Sequence, residues 1–137
     1  MVAKRVVVVD DEEDIRDLMV MWLRDDPRCT SVGEAEDLDA AVVAVGRDRP
    51  DAVLLDFFLG HRVCVEALPA MRTACPDAVI IVYTASRRAA EAAAVLAAGA
   101  DMVVEKGSIS VDDLVELLLG TERDTRPHGS VGGMQAG

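Results

Sequence analysis

The chain has 137 residues, 51% of them apolar but with only two Phe, one Tyr and one Trp, and its 25 acidic and 14 basic side chains give a formal charge of −11. That length suits one domain with a single core, and that charge argues against direct binding of nucleic acid, whose phosphates need a basic surface. No apolar run approaches the roughly 20 residues that cross a bilayer, and Met1 to Lys4 lead straight into a strand without a leader-like pattern, so a cytoplasmic protein is expected.

Short apolar runs alternate with helical patterns along the first 119 residues. The first expected strand, 4–9, carries Val6-Val7-Val8-Val9 and is followed by Asp10 and Asp11. A helix is expected over 12–25, where Ile15, Leu18, Met19, Trp22 and Leu23 recur at helical spacing and set one apolar stripe against a sheet. Glu12, Glu13 and Asp14 suit the positive end of its dipole. A second strand over 30–35 precedes a helix over 37–48, which Asp37 caps and Pro50 separates from the next strand. The third strand, 51–55, ends at Asp56, and the next helix is expected over 62–74. The fourth strand, 79–83, ends at Thr84, before an Ala-rich helix over 86–98 with Ser86 as cap and Gly99 as stop. The fifth strand, 101–105, ends at Lys106, and a helix over 110–119 takes Ser110 as cap and Val111, Leu114, Val115 and Leu118 as its stripe. From Gly120 the period is lost, so a domain of 1–119 is expected to carry a flexible tail or linker over 120–137. Cys29, Cys64 and Cys75 lack metal-ligand spacing and read as reduced, buried filler.

Near-continuous apolar strands alternating with helices describe an α/β fold with a parallel sheet buried on both faces. Five strands joined by right-handed crossovers suit the flavodoxin-like order 2-1-3-4-5, with helices on both faces and a switch point between the first and third strands. Ligands of such sheets bind beyond the carboxyl ends of the strands. Four strands therefore bring Asp10, Asp11, Asp56, Thr84 and Lys106 to one rim. Converging carboxylates repel one another, and a divalent cation with hard oxygen ligands, Mg²⁺ above all, relieves that repulsion. Asp56 can then act as a nucleophile toward phosphorus and form an acyl phosphate. Lys106 and Thr84 supply a positive charge and a hydroxyl for the equatorial oxygens, and Ala85 leaves room for entry.

Each residue alone has an ordinary reading: Asp10 as a helix cap, Asp56 as a loop opener, Lys106 as a solvated lysine, Thr84 as a strand end. The set is harder to dismiss. The segments VVVVDDEEDIRDLM, DAVLLD, IIVYTAS and AAGADMVVEKG, in this order, resemble the receiver domain of two-component response regulators over residues 1–119. SVGEAED is similar to the subfamily that usually carries a helix-turn-helix output domain. The resemblance implies that Asp56 is the phosphoacceptor and that Lys106 and Thr84 grip the phosphoryl group, with Thr84 also the switch hydroxyl. It implies that Asp11 holds Mg²⁺ directly and Asp10 through water, and that Asp56 and the backbone carbonyl of Phe58 complete the metal site. The implied donor is a phosphohistidine on a sensor histidine kinase or phosphotransfer protein. A homodimer through the fourth helix, fifth strand and fifth helix is implied as well, with Arg87 and Arg88 as candidate charge contacts. Such a domain is a switch that assists only its own phosphorylation and dephosphorylation, not a turnover enzyme.

The chain also departs from that family. Gly60 and Cys64 stand where Pro and Gly are usual, Val103 replaces an aromatic switch residue, and Gly107 replaces a Pro whose cis peptide cannot then be presumed. Phe58 is expected to place an apolar ring over the site and slow hydrolysis, while the loop residue His61 reads as solvated. These departures keep a phosphorylation-independent interaction module open as an alternative. A phosphohydrolase using Asp56 is disfavoured, because Phe58 stands where such enzymes carry a second acid. A nucleotide site is disfavoured because no Gly-rich loop follows the first strand.

Overall fold

Runs of Val, Ile and Leu assemble into a parallel sheet of β1 (Lys4–Val9), β2 (Cys29–Ala35), β3 (Ala52–Asp56), β4 (Val79–Thr84) and β5 (Met102–Glu105). The computed structural model describes residues 3–86 and 88–123. The strands pair in the order β2-β1-β3-β4-β5, as expected from their pattern. Helices α1 (Glu13–Arg24), α2 (Leu38–Asp48), α3 (Leu68–Ala74), α4 (Ala89–Ala98) and α5 (Val111–Gly120) complete the three layers.

The period of two along each strand divides the core. Val7, Val9, Val53, Leu55, Ile80 and Val82 face α2, α3 and α4. Val6, Val8, Leu54, Val79, Ile81 and Val104 face α1 and α5. All five residues of β3, the central strand, are buried. No helix among the described residues is long and apolar enough to cross a membrane.

Three expected elements differ in detail. In α1 the buried residues are Met19, Val20 and Leu23, whereas Leu18 and Trp22 are each 40% exposed. The apolar residues span more than one stripe's width, and the one against the sheet lies to the other side of Met19. The helix expected over 62–74 begins only at Leu68, with Pro69 in its first turn, where a missing N–H costs nothing. Before it, Phe58–Leu59 pairs antiparallel with Arg62–Val63 in a small hairpin, followed by a 3₁₀ turn at Cys64–Glu66. The fourth helix starts at Ala89 with Arg88 as its N-cap, so Ser86 lies in the preceding loop.

Other boundaries behave as the sequence predicts. Asp37 accepts the Ala40 N–H at 2.7 Å, Ser110 accepts the Asp113 N–H at 3.1 Å, and Gly99 ends α4 at φ +131°. Asp37→Ala orphans a donor in the first turn of α2 and is expected to cost about 1 kcal/mol. A urea titration should show a lower midpoint with an unchanged slope.

The amino-terminal edge of the sheet is tied together by long cationic side chains. Arg72 of α3 donates to the Gly99 carbonyl at 2.7 Å, the Ala78 carbonyl at 2.7 Å and Asp101 Oδ2 at 2.7 Å. Beyond α5, Lys4 Nζ lies 2.9 Å from Glu122 Oε2 and 3.2 Å from the Thr121 carbonyl. Arg123 donates to Asp101 Oδ1 at 2.9 Å and to the Pro76 carbonyl at 3.1 Å. Residues 121–123 are thus docked; of the expected flexible tail, 124–137 lie outside the described residues.

Candidate functional site

β1, β3, β4 and β5 end along one rim, and the register sets what meets there. Asp56 pairs across from Tyr83, Tyr83 across from Val104 and Thr84 across from Glu105, so Thr84 lies one step beyond Asp56 and Lys106 two. Asp10, Asp56 and Thr84 are only 4%, 6% and 5% exposed, an unusual amount of buried polarity for so apolar a core. Asp10, Asp11 and Asp56 each offer a carboxylate oxygen, all within 4.8 Å of one another. Lys106 Nζ stands 3.3 Å from Asp56 Oδ2 and 5.4 Å from the centre of the Tyr83 ring. The five residues picked from the strand ends therefore share one rim, and four of them form one charged cluster.

The electrostatics follow from this crowding. Burial, and then the neighbouring charges of Asp10 and Asp11, push the Asp56 carboxyl up to about 6 even though Lys106 pulls it down. Burial works against the Lys106 ammonium, but Asp56 and Asp10 outweigh it and hold its pKa above the ordinary value. Three acidic groups against one ammonium leave excess negative charge at this rim. Hard carboxylate oxygens at this spacing fit a small divalent cation such as Mg²⁺.

Local structure explains why the acids stay in place. Asp10 Oδ1 accepts the Glu12 N–H at 2.8 Å, so it turns the chain into α1 as well as facing the cluster. Arg16 of α1 donates to the Asp10 carbonyl at 2.7 Å and to Glu34 of β2 at 3.2 Å. Asp11 Oδ2 accepts the Gly60 N–H at 3.0 Å. Gly60 has φ +65°, which proline's ring cannot adopt, and its N–H is one that proline lacks. Gly at this position is thus a requirement of the hairpin turn and of Asp11's placement. Arg16 and Tyr83 escaped the sequence reading, and Gly60 entered it only as a departure from the usual Pro. Tyr83 had a usable signal, since it immediately precedes Thr84 and so points to the opposite face of β4.

Phe58 is 52% exposed, with its ring edge-on to Phe57 at 4.8 Å. It lines an apolar groove against Ala90 and Ala94 of α4. His61 is exposed, as expected of a hairpin tip. Cys64 is fully buried, and burial followed by the Asp56 charge pushes its thiol up to about 12, so it is inert filler. Val103 packs half-buried against the α2–α4 side of the core. Gly107 has φ +85°, and no cis peptide bond occurs among the described residues. Arg88 is exposed, with Glu91 3.9 Å away; Arg87 lies outside the described residues.

A buried acid at the sheet's switch point, with two more acids and a lysine around it, fits a site for a divalent cation and a phosphoryl group on an α/β domain. Comparison with known proteins agrees. A family model for the response regulator receiver domain matches residues 6–119, and the chain belongs to that family. It is 31% identical over 128 residues, 93% of its length, to the response regulator MprA of Mycolicibacterium vanbaalenii, of which it spans 54%. It spans only 25–32% of several protein-glutamate methylesterases that it also matches. Among solved structures, the signal receiver domain of the putative response regulator NarL from Mycobacterium tuberculosis superposes with a TM-score of 0.78 at 27% identity, covering 88% of this chain and 96% of that one. A response regulator from Burkholderia pseudomallei, with a phosphorylated aspartic acid, calcium ion and citrate, gives 0.76 at 25% identity, covering 84% and 66%.

Proposed function

We propose that Asp56 is the phosphoacceptor of this receiver domain. A carboxylate oxygen of Asp56 attacks the phosphorus of a phosphohistidine, the P–N bond breaks, and the imidazole leaves. The donor histidine belongs to a sensor histidine kinase or a phosphotransfer protein. The observation that carries this reading is the contact of Asp56 with Lys106 at 3.3 Å inside the three-carboxylate cluster. Lys106 neutralises one oxygen of the transferred group, and Thr84 offers its hydroxyl to another. Asp10, Asp11, Asp56 and the Phe58 carbonyl are the residues that hold Mg²⁺, which when bound shields the acids and polarises the phosphoryl oxygens. Phosphorylation then alters an association surface on α4, β5 and α5, where a homodimer forms. The proposed receiver occupies 1–119, and 120–137 serve as tail or linker; its setting is the cytoplasm.

Intact-mass measurement after incubation with Mg²⁺ and acetyl phosphate tests this. One phosphoryl group is expected on the wild type, and none without Mg²⁺ or in Asp56→Asn. An unmodified wild type under every donor would favour the second reading, a phosphorylation-independent interaction module. Val103, at the position of the usual aromatic switch, is the observation on that side.

A further inference from the structure

Thr84 is tied into a chain of hydrogen bonds that leads away from the acids. Its Oγ1 accepts the backbone N–H of Ser86 at 2.9 Å, so the hydroxyl proton is the group it has left to offer a phosphoryl oxygen. Ser86 Oγ accepts the Arg88 N–H at 3.1 Å and donates its own proton to the Glu91 carboxylate. Glu91 stands in the first turn of α4, and its side chain is 28% exposed.

The rest of α4 is lightly held. Val95 is its one buried residue, and Ala90, Glu91 and Ala94 are the other α4 side chains toward the hairpin. Phe58, Val63, Val65, Ala90 and Ala94 line the groove left between hairpin and helix. The amino end of this helix has room to shift, and among the described residues the Glu91 carboxylate joins it to Ser86 of the β4–α4 loop.

We propose that Ser86 and Glu91 are positioning residues: they hold the Thr84 hydroxyl ready for the phosphoryl group and tie its movement to the first turn of α4. This rests on Asp56 being the phosphoacceptor. Thr84 drawn toward Asp56 brings the Ser86 amide with it, and the Ser86–Glu91 bond passes the displacement to α4.

The test is a double-mutant cycle on the full chain, reading the rate of adduct formation with acetyl phosphate and Mg²⁺ by intact mass. Ser86→Ala and Glu91→Ala are each expected to slow the reaction several-fold, and the double variant no more than the slower single one. Glu91→Gln, whose amide oxygen accepts the same proton, should return the rate to within about twofold of wild type. In a Thr84→Ala background Glu91→Ala should have no further effect. Hydrogen exchange of residues 89–95 should change on phosphorylation in the wild type and stay unchanged in Glu91→Ala. Additive losses, no rescue by Gln, or an equal loss in the Thr84→Ala background would overturn the link while leaving Asp56 as acceptor. A wild type that never takes up a phosphoryl group removes both.

Discussion

Asp56→Asn is expected to make the metal-free protein more stable at pH 7.5, by about 2–3 kcal/mol, and to flatten its pH dependence below that. The folded state holds the Asp56 proton more tightly than the unfolded chain does, since burial and the neighbouring acids raise the carboxyl from 3.8 to about 6. A raised folded pKa contributes stability that is complete below the unfolded value and disappears as pH rises through about 6. At neutral pH the wild type therefore carries a charge its pocket resists, and the amide does not. The side chain is 8% exposed, so solvent screens little of this effect. Urea titrations at pH 4.5 and 7.5 in the presence of EDTA measure it. Equal stability of the two proteins at pH 7.5 would mean that Lys106 fully offsets the repulsion. Adding Mg²⁺ should narrow the gap by stabilising the wild type more than the variant.

Arg72→Met should cost about 3 kcal/mol, although the residue is far from the chemistry. Its side chain is 17% exposed and its guanidinium satisfies the carbonyls of Gly99, Cys75, Pro76 and Ala78 together with Asp101. Methionine matches its stem but donates nothing, so several carbonyls and a half-buried carboxylate lose a partner at once. Asp101→Asn should cost less, about 1 kcal/mol, because the amide oxygen still accepts the Ile80 N–H that Asp101 holds at 2.8 Å. The comparison by urea titration is informative in its order. A smaller loss for Arg72→Met than for Asp101→Asn would show that water replaces the guanidinium at this edge.

The strand ends were legible because strands buried on both faces read as unbroken apolar runs, and a polar residue at the end of such a run stands out. Sheet order followed from topology rules, and the cluster of Asp10, Asp11, Asp56 and Lys106 followed from sheet order. The third helix was misplaced because Arg62 to Glu66 continue a passable helical pattern. Its true start is marked by Pro69, and the turn before it by Gly60, whose φ is a tertiary property. The face of α1 was misjudged because Leu18 and Trp22 lie on one flank of Met19 and Val20 on the other. Which flank is covered depends on where α5 packs. Arg16 and Arg72 were out of reach for a different reason: a long cationic side chain reveals nothing of its acceptors until distant carbonyls have been brought to it.

The docking of residues 121–123 bears on how such a domain can be read. Lys4, Pro76 and Asp101, which hold this segment, stand at or before the starts of their strands, whereas Asp56 and Lys106 end or follow theirs. Strands of this length put roughly 15–20 Å between the two poles. Residues 121–123 are therefore held at the pole opposite Asp56 and Lys106. Under the proposed phosphorylation of Asp56, this anchor stays far from the modified carboxyl, and a partner that reads the change would meet it on the flank beside α4.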